Sequence, residues 1–139
     1  MGYYLDLYFR DENQRYSTDE LVKMFCEQGC EPMLLKENPE WVEVYYRNDD
    51  YNASMLIHFL DIDKYPEIKY FADVRLSWST NYELFVNTVR SLMVLGNVFD
   101  FYVYDSMLKT EISLENLEQV AEKVAGVAHN IVRGLGKVT

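Results

Sequence analysis

The side chains able to do chemistry are few, and several fall in one segment. Leu60-Asp61-Ile62-Asp63 ends an apolar run, and His58 stands just ahead of it. Carboxylates at alternate positions of a strand end could share a divalent cation and offer one oxygen as a nucleophile. His58 could act there as a general base, with Asp6, Asp73 or Asp61 as the carboxylate that orients its ring. The same residues also have an ordinary reading. Asp61 and Asp63 would be a solvated strand end before the Lys64-Tyr65-Pro66 loop, and His58 a core histidine bonded to backbone. Cys26 and Cys30, four apart on one helical face, lack the C-x-x-C spacing, and only His58 and His129 could add nitrogen ligands. They read as buried free thiols acting as small hydrophobes.

No nucleophile elbow, H-E-x-x-H helix, complete phosphate loop or dinucleotide fingerprint occurs. The chain is therefore expected to bind rather than catalyse, with no cofactor. The alternative is a small metal-assisted hydrolase or ligand-binding enzyme using Asp61, Asp63 and His58.

The elements that must position these residues follow from periodicity. Tyr3 to Arg10 alternates apolar and polar, the pattern of a half-buried strand. Ser17 with Glu20 forms a capping pair, opening a helix through Leu21, Met24 and Phe25 that stops at Gly29. The connection between Pro32 and Pro39 has room for one short strand at Met33 to Lys36 in addition to the main order, and strands follow at Trp41 to Arg47 and Asn52 to Asp61, joined by an Asn48-Asp49-Asp50 turn. The second of these is apolar on both parities, as for a central strand covered on both sides. Ile68 to Ser79 reads as a long strand. Thr80 and Glu83 repeat the capping pair before a helix that ends at Gly96-Asn97. Phe99 to Asp105 is the last strand, and a closing helix runs from about Ser113 to Leu135. The expected architecture is a single α+β domain over 1–139: a mostly antiparallel sheet in the order β-α-β-β-β-α-β-α, helices packed on one face, a ferredoxin-like outline with additions.

Charge restricts the partners. The 139 residues carry a formal net charge of −10, which repels nucleic-acid phosphates and anionic membrane surfaces. Neither nucleic acid nor membrane is an expected partner. No apolar run spans a bilayer, and the start resembles no signal segment, so the expected location is the cytoplasm.

Aromatics make up 15% of the chain, with 12 tyrosines, more rings than so small a core encloses. If helices cover one side of the sheet, the other carries Tyr4, Asp6, Tyr8, Arg10, Trp41, Glu43, Tyr45, Arg47, Asp73, Arg75, Ser77, Tyr102 and Tyr104. Tyr, Trp and Arg are enriched at protein interfaces. The expected binding residues are therefore Tyr4, Tyr8, Arg10, Trp41, Tyr45, Arg47, Arg75, Tyr102 and Tyr104. The expected partner is a protein, either a basic one that such an inhibitor-like domain would capture or a second copy of this chain. A purely structural subunit of a larger assembly is the remaining alternative.

Overall fold

The computed structural model describes residues 3–34, 42–61, 63–77 and 80–125. The elements are β1 (Tyr3–Phe9), α1 (Thr18–Glu27), β2 (Glu31–Leu34), β3 (Val42–Asn48), β4 (Ala53–Phe59), β5 (Ala72–Leu76), α2 (Tyr82–Phe99), β6 (Phe101–Asp105) and β7 (Thr110–Ile112). A third helix, α3, is described over 117–125. The strands form one seven-stranded sheet in the order β2-β3-β4-β5-β1-β6-β7, and every neighbouring pair is antiparallel. The α+β class is as the sequence implies. The ferredoxin-like outline is not established. β5 and β6, joined by α2, do run in the same direction with β1 between them, but β2, β3, β4 and β7 extend the sheet well beyond that unit.

Helix starts follow from side chains that meet orphan N–H groups. Ser17 accepts from the Glu20 amide at 3.2 Å, and Glu20 reaches back to the Ser17 amide at 3.2 Å, completing the box. At α2 the expected cap is displaced by one residue. Asn81 Oδ1 accepts from the Leu84 amide at 2.8 Å, whereas the Thr80 hydroxyl turns back to donate to the Ser77 carbonyl at 2.5 Å. The helix also runs past the expected stop at Gly96-Asn97 and takes in Phe99, ending where Asp100 adopts φ 58°.

Gly96 serves close approach rather than termination. A Cβ there would lie 2.8 Å from the Phe101 carbonyl oxygen, so α2 can press on β6 only because the side chain is missing. Gly96→Ala is expected to destabilise the fold by about 1–2 kcal/mol, overpacking outweighing the gain in helix propensity. A urea midpoint equal to or above the parent's would refute this.

α1 packs over β3 and β2, and α2 crosses β6 and β4. Both lie on the same face, because Phe25 of α1 stacks on Phe99 of α2 at 4.7 Å and meets Phe59 of β4 edge-on at 4.9 Å. Leu5, Leu7, Val44, Ile57 and Val74 supply the sheet's half of this core, and Leu117, Val120, Ala121 and Val124 of α3 join the same buried cluster. Cys30 is buried in it and Cys26 half-buried, both free, and burial pushes the Cys30 thiol up to about 12. Thiolate chemistry at Cys30 is thereby suppressed.

Three further expectations change. β5 is shorter than the run from Ile68, because the chain turns through Tyr65 and pairs only from Ala72. β7 is an additional strand, and the closing helix begins at 117, later than the expected start near Ser113. β4 is not covered on both sides: Leu56 is 44% exposed on the face away from the helices. Trp41, His129 and the later part of the closing helix lie outside the described residues.

Candidate functional site

On the face opposite the helices, one cross-strand row touches all seven strands. Register places Met33 beside Glu43, Glu43 beside His58, His58 beside Asp73, Asp73 beside Asp6, Asp6 beside Tyr104 and Tyr104 beside Glu111. A sheet's side chains alternate faces, so these positions must share one side while Leu5, Leu7, Ile57, Val74 and Val103 point to the core. Four of the seven are carboxylates, in a chain that is already acidic.

Asp6 lies at the centre of this row and is 7% exposed. Among the described residues it makes no hydrogen bond and no ion pair. Its carboxyl is pushed up to about 6, first by burial and then by the charges of Asp73 and of Asp105. No fully enclosed side-chain oxygen or nitrogen of the described residues lacks a partner, so the Asp6 carboxylate is not sealed off completely from the surface. Asp73 is half-buried and faces His58, whose Nδ1 stands 3.4 Å from its Oδ1. Of the three carboxylates the sequence offered to His58, Asp73 is the one the fold supplies.

Tyrosines wall this centre. Tyr8 stacks on Tyr102 at 5.4 Å, and meets Tyr104 edge-on at 5.6 Å and Tyr70 edge-on at 5.9 Å. Burial and the nearby Asp6 charge raise the Tyr8 and Tyr70 hydroxyls above their ordinary value, so all stay protonated as donors at neutral pH. Tyr4, two residues from Asp6 on the same face, is 43% exposed. Two guanidinium groups of this face are engaged by other partners. The Arg75 guanidinium lies 5.9 Å from the Tyr4 ring centre. Arg10 covers the Tyr102 ring at 5.2 Å and pairs with Glu111 at 3.0 Å.

The fold therefore gathers Tyr4, Tyr8, Arg10, Arg75, Tyr102 and Tyr104, as the sequence expects. Tyr45 and Arg47 fall farther out on β3, beside Leu56 and Ser54, with Arg47 held by Asp49 at 2.6 Å in the adjoining turn. Sequence reasoning offered Asp6 and Asp73 only as carboxylates for His58 and missed Tyr70, which lies outside any strand. A lone aspartate centred in an apolar strand between two tyrosines was the available signal; its pairing with Asp73 depends on register.

Two clefts adjoin the face. One of about 360 Å³ is lined by Tyr8, Tyr102, Phe71, Lys69 and the 11–16 loop. The other, about 190 Å³, lies at the end of β4 against His58, Asp61, Lys64 and Tyr65. Asp61 and Asp63 do not converge there: Asp61 Oδ1 accepts the Asp63 amide at 3.0 Å, a turn that organises backbone. Among the described residues no group of three or more His, Cys, Asp or Glu side chains is arranged to hold a metal ion. No described helix is long and apolar enough to cross a membrane.

Comparison with family models, with characterised proteins and with solved structures finds no match for this chain.

Proposed function

We propose that this chain is a binding module that engages a basic protein through the tyrosine-lined acidic face of its sheet. The observation that supports it is the row Glu43–His58–Asp73–Asp6–Tyr104–Glu111, which carries acid and aromatic side chains on the side away from the helices. Core packing has no use for such a row, and tyrosines supply large, stiff contact area with a hydrogen-bonding end. The net charge of −10 accelerates encounter with a cationic partner.

The test is capture from host lysate with the parent chain, with Tyr4→Arg and Tyr102→Arg on the face, and with Val98→Arg on α2, whose side chain is 53% exposed. The face variants are expected to lose at least nine-tenths of a specifically retained basic protein while Val98→Arg keeps it. Equal recovery with all variants, or retention of nothing by a chain that light scattering shows to be monomeric, would refute the proposal. Dimerisation abolished by the face variants would identify the partner as a second copy.

A further inference from the structure

We infer that the paired carboxylates of Asp6 and Asp73, at the centre of the face and flanked by Tyr4, Tyr8, Tyr70 and Tyr104, receive a lysine or arginine side chain of the partner. This rests on the reading of the face as a docking surface and names the chemistry at its centre. A carboxylate that is nine-tenths buried, with neither donor nor cation among the described residues, is electrostatically incomplete. Its surroundings make it more so, because Asp73 adds like charge beside it and Asp105 adds like charge through the sheet.

What completes such a site is a positive charge carried on an organic stem. Ammonium and guanidinium groups are attracted both to the paired carboxylates and to ring faces, and their methylenes pack on tyrosine edges. A hydrated metal ion suits the surroundings less well, since it needs about six or more oxygen ligands and a ring face supplies none. Arg75 and Arg10, the nearest guanidinium groups on the face, stay over Tyr4 and Tyr102 respectively. The groups facing Asp6 are Tyr4 and Tyr8 on its own strand, Asp73, Arg75 and Tyr70 from β5 and its approach, and Tyr104 from β6, while Asp105 acts from the core side of the sheet. His58 lies beyond Asp73, and Glu111 beyond Tyr104. Ionised Asp6 is the form that binds a cation, so affinity should fall as pH drops through about 6.

The probes are N-acetyl-lysine methylamide and N-acetyl-arginine methylamide, titrated against the full chain while backbone amide resonances are followed. Either cation is expected to move the amides of Asp6, Asp73 and Tyr104 saturably at pH 7.5. Affinity should drop at least tenfold in Asp6→Asn and at least threefold in the parent at pH 5.0. The Nε-acetylated lysine probe should have no such effect. Shifts that map instead to the 11–16 loop, that persist in Asp6→Asn or that appear equally with the acetylated probe would overturn the inference. Asp6→Asn in the lysate capture separates it from the reading beneath it. If this variant keeps the partner that Tyr102→Arg loses, the face stands and the cation site falls; if neither variant loses it, both fall.

Discussion

Asp105→Ala is expected to cost the fold about 3–5 kcal/mol. Asp105 is 0% exposed, on the core side of β6. One oxygen takes the Tyr3 hydroxyl, and the other takes the Met107 and Leu108 amides at 3.0 Å each, shaping the turn into β7. Truncation removes the acceptor of the Tyr3–Asp105 hydrogen bond and of the Met107 and Leu108 turn amides, and an unmet buried donor costs about 1–3 kcal/mol. Asp105→Asn should cost less, because an amide oxygen still accepts from both turn N–H groups while only the Tyr3 contact turns unfavourable. Urea unfolding with an unchanged slope reads both values. If Asp105→Ala shifted stability by less than about 1 kcal/mol, the account of this network would be wrong.

How much of this was legible in the sequence depends on the range of the interaction. Alternation from Tyr3 to Arg10, the Ser17–Glu20 box and the apolar stripe of α2 are set within one or two turns of chain, and all appear as read. Asn81 replacing Thr80 at the α2 cap is a contest between two adjacent oxygens, decided by which one the preceding Ser77 carbonyl claims as a donor. Gly96 looked like a helix stop because helix-ending glycines and glycines at close crossings share one residue type; only the Phe101 carbonyl above it distinguishes them. β7 is three residues long and holds no periodicity of its own; the Tyr104–Glu111 and Val103–Ile112 pairs define it. The site has the same limit. That an acidic and aromatic face exists follows from residue alternation. That Asp6 meets Asp73, and Asp73 meets His58, follows from the register between β1, β5 and β4, which no local pattern encodes.

Asp6→Asn carries the opposite expectation from Asp105→Ala, although both carboxylates sit in paired strands and both are buried. Asp105 is satisfied by three donors, whereas Asp6 has none among the described residues. The Asp6 carboxyl is raised from an ordinary 3.8 to about 6, so the folded chain holds its proton more tightly than the unfolded chain does. Between those values the native state binds more protons than the unfolded state, and stability falls as pH rises across the window. Above about 6 the loss is complete and stays constant. A difference of about two pH units at about 1.4 kcal/mol each gives about 3 kcal/mol as its ceiling. Asparagine keeps the shape without the charge. The variant is therefore expected to match the parent near pH 3.5 and to exceed it at pH 7.5, with a melting temperature higher by roughly 6–10 °C. Paired melting curves from pH 3.5 to 7.5 measure this. A variant less stable than the parent at pH 7.5 would mean that the charge is already compensated within the chain, and the cation site would lose its electrostatic basis. On the cation-site proposal, a charge that works against the fold's own stability, at the centre of a face lined with rings, is one that a bound cation would neutralise.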